Sequence, residues 1–510
     1  MDSTDWKTLH NGSDIRGVAT EGVKDEEVTL TPLVAGRLSE SFAGWLKESF
    51  NITKPLKIAV GIDSRLSGPK LKEAVSKSLI DCGVTVFDIG MASSPAMFMT
   101  TIRENNRADG AIMITGSHMP FNRNGLKFYT AKGSLEKEDI TLLIEMAQSK
   151  SSFLTGDKGE AIKEDYMKSY AKSYVDMVRE QVNNATDYNK PLKELKIVVD
   201  AGNGAGGFYA TDVLEPLGAD ISESLLLEPD GRFPHHIPNP ENEAAMTSVV
   251  HRVKESKADL GIVFDADVDR TAIVAGDGSY LNKNKLIALV SAVVLEEHPE
   301  TTVVTDSITS NSLGFFITEK LKGKIHRYKR GYKNVINEAI RLNNEGEECH
   351  LAIETSGHAA LKENYFMDDG AYLITKLIIK QAKLQKEGRT LTSLIEDMPL
   401  PAENGEVRIK INTPDFKEYG EKVIMDLGLY AGDKHGWDIE GDNFEGVRIN
   451  CYLPNQKGWV LLRMSLHEPV IPLNIESEVK GGLKNIVDTL TTFFSNYDKL
   501  DLSGFKNILY

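Results

Sequence analysis

The run Gly261-Ile262-Val263-Phe264-Asp265-Ala266-Asp267-Val268-Asp269-Arg270 is an apolar segment that ends in three alternate carboxylates and an arginine. Oxygen ligands in that number suit a hard divalent cation such as Mg²⁺. Side chains two apart share one face of a strand, so Asp265, Asp267 and Asp269 are expected to point together if the strand continues through them. Three carboxylates held that close repel one another unless a cation lies among them. The plainer alternative is a polar turn capping a buried strand, with Arg270 as a surface partner. A single Asp-x-Asp at a strand end is common, whereas three alternate aspartates followed by arginine are not.

A second segment supplies a hydroxyl. Gly110-Ala111-Ile112-Met113-Ile114 reads as a short buried strand that runs into Thr115-Gly116-Ser117-His118-Met119-Pro120, followed by Asn124-Gly125-Leu126-Lys127-Phe128. Ser117 beside His118 at a strand end is placed for nucleophilic chemistry, although a turn serine next to a surface histidine is the commoner fate of such a pair. Met119 stands two residues after Ser117, so the Gly-x-Ser-x-Gly elbow is not satisfied and an α/β-hydrolase is disfavoured. A third strand-to-loop transition, Leu351-Ala352-Ile353-Glu354-Thr355-Ser356-Gly357-His358, offers an acceptor, a hydroxyl and a titratable ring, the mixture that grips a polyol.

Together these motifs resemble the α-D-phosphohexomutase family, which includes phosphoglucomutase, phosphomannomutase and phosphoglucosamine mutase. The resemblance covers nearly the whole chain. It begins at Ser13-Asp14-Ile15-Arg16-Gly17 and passes through Gly61-Ile62-Asp63-Ser64-Arg65, Gly90 and Pro95-Ala96 to the Ser117 segment. It continues through Asp200-Ala201-Gly202-Asn203-Gly204-Ala205-Gly206, Pro229-Asp230-Gly231-Arg232-Phe233-Pro234, Pro238-Asn239-Pro240, the aspartate run, Gly331-Tyr332-Lys333 and the Glu354 to His358 loop.

The resemblance implies a Mg²⁺-dependent mutase that interconverts hexose 1-phosphate and hexose 6-phosphate, with glucose and mannose as the leading sugars and a hexose 1,6-bisphosphate as intermediate and activator. It implies that Ser117 is the phosphoryl carrier and that Asp265, Asp267 and Asp269, with Ser117, hold the metal. Arg16, His118 and Lys127 match positions near the transferring group, and Arg270 a position where the phosphoryl group is held. Glu354, Ser356 and His358 are similar to the sugar-binding loop, with Lys333 near by. The last loop of the family usually reads Arg-Pro-Ser-Gly-Thr-Glu-Pro and holds the non-reacting phosphate. Here it is Arg463-Met464-Ser465-Leu466-His467-Glu468-Pro469, so Arg463 and Ser465 remain as donors, His467 replaces a hydroxyl and Leu466 replaces a small residue. Gly116 and Met119 likewise stand where Ala and Asn are usual.

Phosphoryl transfer needs cations to neutralise charge and align oxygens, and Mg²⁺ with Arg16, Lys127 and Arg270 would supply them. A serine or sugar hydroxyl also needs a base; Lys127 and His118 are the first candidates and His358 the next. Two other readings compete. A non-catalytic or regulatory sugar-phosphate-binding relative, or a mutase for another phospho-sugar such as glucosamine phosphate, would explain the altered Arg463 loop. A dinucleotide-dependent oxidoreductase would explain Gly202-Asn203-Gly204-Ala205-Gly206-Gly207, a lone Gly-x-Gly-x-x-Gly with Asp220 at a ribose-contact spacing.

The elements that must position these residues are strands and helices in alternation. Leu56 to Asp63, Val84 to Gly90 and Gly110 to Ser117 read as strands around a helix from Pro69 to Leu79. Similar strand-then-loop patterns recur at Leu195 to Gly206, Asp259 to Asp269, Thr301 to Ser307 and His350 to Gly357. After Pro399-Leu400-Pro401 the pattern changes to strands at Glu406 to Asn412, Gly446 to Leu453 and Gly458 to Ser465.

The expected fold is three similar α/β domains with mixed sheets and a smaller C-terminal α+β domain, arranged around a central cleft. The expected domains are 1–155 with the serine loop, 156–290 with the metal loop, 291–398 with the sugar loop and 399–510 with the phosphate loop. A chain of 510 residues suffices for three or four cores.

A net charge of −16 argues against general nucleic-acid binding. The basic stretch from Lys320 to Lys333 reads mainly as a solvated face, with Arg330 and Lys333 able to attract an anionic sugar phosphate. Cys82, Cys349 and Cys451 are too few and scattered for a disulfide framework, which fits a reducing compartment. No apolar signal core or membrane span is seen, so the cytoplasm is expected, with a plastid or other organelle as the alternative if a transit peptide has been removed. The expected partner is a small sugar phosphate, with no nucleic acid and no membrane, and the expected state is a monomer or homodimer.

Overall fold

The computed structural model describes residues 6–149, 157–182, 187–465 and 468–508. The chain forms two compact units, one of Met1–Asn282 with Ser356–Ser393 and the other of Lys283–Thr355 with Leu394–Tyr510. The expected boundary at 155/156 falls outside the described residues.

In the first unit a mixed sheet takes the order His10–Asn11, Asp14–Val18, Arg123–Thr130, Gly110–Ile114, Lys57–Ile62, Thr85–Met91, Ala161–Lys163. Lys57–Ile62 pairs in parallel with both Thr85–Met91 and Gly110–Ile114, while Gly110–Ile114 pairs antiparallel with Arg123–Thr130. Ile58, Val60, Ile112, Ile114, Leu126 and Phe128 enter one core, and Ala59, Ala111, Met113 and Tyr129 the other. Because the strands bury both faces, they read as continuous apolar runs rather than as alternation.

Helices Pro32–Phe50, Gly68–Asp81 and Lys137–Gln148 contribute side chains to the first of these cores. The helix Pro32–Phe50 starts where sequence chemistry says it should: Thr31 accepts from the Val34 amide and Pro32 fills the first turn, where its missing N–H costs nothing. It ends at Asn51 in the left-handed region.

A second, four-stranded sheet has the order Tyr280–Leu281, Thr271–Ala275, Leu260–Phe264, Ile197–Asp200. Leu260–Phe264 runs parallel to Ile197–Asp200 and antiparallel to Thr271–Ala275. The first two sheets thus share a device. In each, a buried strand (Gly110–Ile114 or Leu260–Phe264) turns back through a polar loop into an antiparallel neighbour.

The second unit holds parallel strands Lys324–Tyr328, Thr302–Asp306 and Cys349–Ile353 in that order. Its C-terminal part is an antiparallel sheet ordered Trp437–Ile439, Val447–Cys451, Gly458–Leu462, Val470–Ser477, Glu403–Ile411, Leu500–Asp501. Val407, Ile409 and Ile411 are buried with exposed Arg408 and Lys410 between them, the period-two pattern of a sheet covered on one side. Helices Phe416–Gly432 and Gly482–Phe494 supply that cover through Val423, Leu427, Ile486, Val487 and Leu490. The expected fold class of three α/β layers and a smaller α+β domain is the one observed.

Candidate active site

Ser117 lies just past the end of strand Gly110–Ile114, buried, with a backbone φ of +47°. A serine in the left-handed region costs about 1–3 kcal/mol and persists only where neighbours enforce it. Here the Ser117 amide donates to Thr115 Oγ1 at 2.8 Å, and Thr115 Oγ1 donates to Asp63 Oδ2 at 2.7 Å. The Ser117 hydroxyl donates to Asp265 Oδ2 at 3.0 Å and accepts from Arg270 Nη2 at 3.3 Å; His118 Nδ1 lies 3.4 Å away.

The three aspartates do converge, but not as strand neighbours. The strand ends at Phe264, and residues 265–269 form a loop in which Val268 takes a φ of +66°. That conformation is a genuine outlier for a β-branched residue. It is held by the Val268 amide on Asp265 O and by Val268 O accepting from the Gly370 amide. The correction is physical: this turn gathers the carboxylates, one oxygen from each lying within 4.8 Å of the others. Ser94 at the start of helix Ser94–Met99 donates to Asp267 Oδ2 at 2.5 Å, and its amide donates to Asp267 O.

Cations surround the cluster. Lys127 Nζ donates to Asp267 Oδ2 at 2.7 Å and to Asp269 Oδ2, and Arg270 Nε donates to Asp265 Oδ2 at 3.1 Å. Arg16 donates to Thr115 O at 2.7 Å and to Asp14 Oδ2 at 2.9 Å. Burial pushes the Asp265 carboxyl well up, and Asp269 and Asp267 push it further. Burial acts in the same direction on Asp269, but Lys127, His358 and Arg270 outweigh it and hold that carboxyl below the usual range.

Asp267 Oδ1 and Asp269 Oδ1 are buried and accept no hydrogen bond among the described residues. Orphaned carboxylate oxygens facing one cluster fit a divalent cation, which shares them without a proton. Lys127, despite burial, has its pKa raised well above the ordinary value by Asp267 and Asp269. It stands here as a cation bonded to both carboxylates. His118 is exposed, and desolvation and the Arg270 and Arg16 guanidiniums act to lower its pKa below the ordinary imidazole value.

His358 joins the same unit. Its backbone bridges that of Arg270, its Nδ1 is hydrogen-bonded to Asp368 Oδ2, and it groups with Asp269 and Asp368. A carboxylate on Nδ1 fixes the orientation of the ring. The Asp368 turn is itself anchored: Asp369 caps helix Gly370–Gln385 through the Tyr372 amide and accepts from Tyr170 at 3.0 Å and Tyr174 at 2.8 Å.

Structure thus brings Arg16, Ser117, His118, Lys127, Asp265, Asp267, Asp269, Arg270 and His358 together in the first unit, to which Ser356 also belongs. Lys333, Glu354, Arg463 and Ser465 lie in the second. There Glu354 accepts from the Gly331 amide at 2.6 Å. Glu445 accepts from Ser307 Oγ at 2.5 Å and from the Arg330 amide at 3.2 Å, and its Oε1 lies 3.8 Å from Arg463 Nη1. Arg463 is buried and its Nε has no hydrogen-bond partner among the described residues. His467 and Leu466 lie outside the described residues.

The glycine run that resembled a dinucleotide fingerprint has another use. A Cβ on Gly204 would sit 2.6 Å from Ala266 Cα, and the Ala205 amide donates to Ala266 O at 2.8 Å, so the glycines let this loop press on the aspartate loop. Asp220 bonds the Ser222 amide and pairs with Lys196, a turn role.

Three family models match: phosphoglucomutase/phosphomannomutase alpha/beta/alpha domain I over residues 7–154, domain II over 172–278 and domain III over 282–400. A phosphomannomutase/phosphoglucomutase from Pseudomonas syringae is 31% identical over 480 residues, 94% of this chain and 93% of that protein. The chain belongs to the phosphoglucomutase/phosphomannomutase family. A further family member, the phosphoglucomutase/phosphomannomutase of Thermococcus kodakarensis, is 31% identical over 91% of this chain and 94% of its own. A crystal structure of a phosphoglucomutase/phosphomannomutase family protein from Burkholderia thailandensis superposes with a TM-score of 0.77 at 26% identity, covering 96% of this chain and 97% of that one.

Sequence reasoning named the residues of this family member that face the cluster but missed those behind them. Ser94, Asp368, Asp369, Tyr170 and Tyr174 carry no local motif, since each acts on a residue far along the chain. Asp63 and Arg65 were visible in Gly61-Ile62-Asp63-Ser64-Arg65 but had no assigned role.

Proposed function

We propose that the chain is a phosphohexomutase that interconverts hexose 1-phosphate and hexose 6-phosphate, glucose and mannose first, with Ser117 as phosphoryl carrier and a hexose 1,6-bisphosphate as intermediate and activator. The observation that carries it is the buried Ser117 hydroxyl held between Asp265 and Arg270 beside two orphaned carboxylate oxygens. Family membership supports the same reading.

Asp265, Asp267, Asp269 and Ser117 would hold Mg²⁺, which when bound offsets the charge of the transferring group. In the phosphorylated chain the sugar hydroxyl attacks phosphorus, its proton passes to a base, with His118 and His358 as the candidates, and the bond from phosphorus to Ser117 Oγ breaks. The rebound bisphosphate returns its other phosphoryl group to Ser117 by the reverse sequence. Arg270, Arg16 and Lys127 are fixed cations that need no rearrangement as charge shifts.

Glu354, Lys333 and Ser356 are proposed as sugar-binding residues, and Arg463 and Ser465 as donors to the idle phosphate, with His467 as a further donor. The orphaned Arg463 Nε supports that role. Arg463→Ala is expected to raise KM for hexose 1-phosphate about tenfold to 100-fold, the loss of a charge-assisted bidentate contact, with kcat reduced less. Steady-state kinetics checks this, and an unchanged KM counts against the assignment.

We further propose the four domains 1–155, 156–290, 291–398 and 399–510, and a reducing, cytoplasmic setting in which the buried Cys82, Cys349 and Cys451 stay as thiols. Among the described residues no helix is long and apolar enough to cross a membrane.

The test is a coupled assay on glucose 1-phosphate, mannose 1-phosphate and glucosamine 1-phosphate with Mg²⁺ and a trace of hexose 1,6-bisphosphate. Turnover of the first two supports the proposal. Turnover of glucosamine phosphate alone moves the substrate class, and binding without turnover on any sugar leaves the non-catalytic relative.

A further inference from the structure

We infer that Arg65 is the positioning residue that holds the Ser117 loop in its working shape, packed so closely on Gly116 that a Cβ there would displace it. Arg65 is fully buried, yet its guanidinium has no substrate-facing donor to spare. Its five N–H groups are all engaged: Nε on Asp63 Oδ2 at 3.1 Å, Nη1 on Pro120 O at 2.6 Å and Arg123 O at 2.8 Å, and Nη2 on Ser117 O and Met119 O, both at 2.6 Å. Three of those acceptors are carbonyls of the loop that carries Ser117, and the fourth, Arg123 O, opens the strand that follows it.

A loop that turns from one strand into the next leaves carbonyls without ladder partners, and a planar guanidinium with five donors at fixed angles can satisfy several of them at once. Asp63 completes the device from behind. Its Oδ1 accepts from the Arg65 amide at 3.0 Å and its Oδ2 from Thr115 Oγ1, the same hydroxyl that receives the Ser117 amide. Ser117 is therefore gripped from both sides of its peptide, its N–H through Thr115 and Asp63 and its carbonyl through Arg65. That double hold is what keeps its φ at +47° and its Oγ between Asp265 and Arg270.

Space around the guanidinium is as constrained as its bonding. Phe233 lies with its ring centroid 5.0 Å from Arg65 Cζ, and a Cβ on Gly116 would come within 2.5 Å of that same Cζ. A flexible side-chain end usually yields to such a clash, but this one cannot move without breaking several buried hydrogen bonds.

This inference rests on the phosphoserine reading, and its test separates the two. Wild type, Arg65→Lys, Arg65→Ala and Gly116→Ala are compared for kcat, KM and the rate at which labelled hexose 1,6-bisphosphate phosphorylates Ser117, with circular dichroism and melting to monitor the fold. The expected result for Arg65→Lys and Gly116→Ala is a fall of about 100-fold in kcat and in the labelling rate, with KM changed by less than about threefold, because a misplaced nucleophile loses rate and not affinity. Methylguanidinium is expected to restore at least about tenfold of the labelling rate in Arg65→Ala and none in Gly116→Ala, where the donor is still present but displaced. Labelling of the variants at the wild-type rate, or activity that falls only in step with the folded fraction and is not rescued, overturns the positioning role. Turnover by a wild-type chain that never takes label at Ser117 sinks the phosphoserine reading itself, and with it this one.

Discussion

Ser117→Ala is expected to lower kcat by more than about 10⁴-fold, because removing a covalent carrier leaves no group to take its place. The neighbours of Ser117 sharpen that expectation. Asp265 Oδ2 and Arg270 Nη2 both reach its oxygen, which sets the hydroxyl between the carboxylate cluster and a guanidinium. Alanine keeps the backbone, and the amide and carbonyl hydrogen bonds to Thr115 and Arg65 are untouched by the loss of Oγ. The variant should therefore fold, bind sugar phosphate near the wild-type affinity and fail in the chemical step. Calorimetric binding alongside the coupled assay checks this, and activity within tenfold of wild type would remove Ser117 from the mechanism (about 1.4 kcal/mol on the barrier).

Asp267→Asn is expected to weaken Mg²⁺ binding and lower kcat/KM together, by about 10²–10⁴-fold, the rate equivalent of several kcal/mol of charge stabilisation. Three carboxylates meet there with Lys127 and Arg270, and Asp267 and Asp269 each keep a buried oxygen that accepts no hydrogen bond among the described residues, the place for an added cation. Asparagine preserves the shape and can still accept from Ser94 and Lys127, which confines the change to charge. Titration of Mg²⁺ by calorimetry, with Ca²⁺ and Mn²⁺ as comparisons, reads the effect without relying on turnover. A Mg²⁺ affinity equal to that of wild type would show that the ion sits elsewhere.

How much of this was written in the sequence depends on the range over which each residue acts. Strand-then-loop runs such as Gly110 to Ser117 and Leu260 to Asp269 put the reactive groups at strand ends, and the structure keeps them there. The convergence of the three aspartates was anticipated for the wrong reason. Period-two alternation would have aligned them on a strand, whereas the observed turn through Val268 at positive φ depends on Gly370 and Ser94, both distant in sequence.

The surroundings of the candidate bases were hidden for a similar reason. Nothing local to Lys127 says that two carboxylates of a loop far along the chain will bond it, and nothing local to His358 says that Asp368 will orient it. The glycine run from Gly202 to Gly207 shows the opposite hazard. Its spacing matched a cofactor motif, but its glycines serve the close approach of two backbones.

The most direct test of the central claim follows the phosphoryl group itself. Purified chain is incubated with hexose 1,6-bisphosphate carrying ³²P and Mg²⁺, digested, and the labelled peptide located by mass spectrometry before and after a chase with unlabelled hexose 1-phosphate. The account predicts label on the Ser117 peptide that leaves during the chase and reappears in sugar phosphate at a rate no slower than turnover. Label on any other residue, or turnover with no label passing through Ser117, would contradict it.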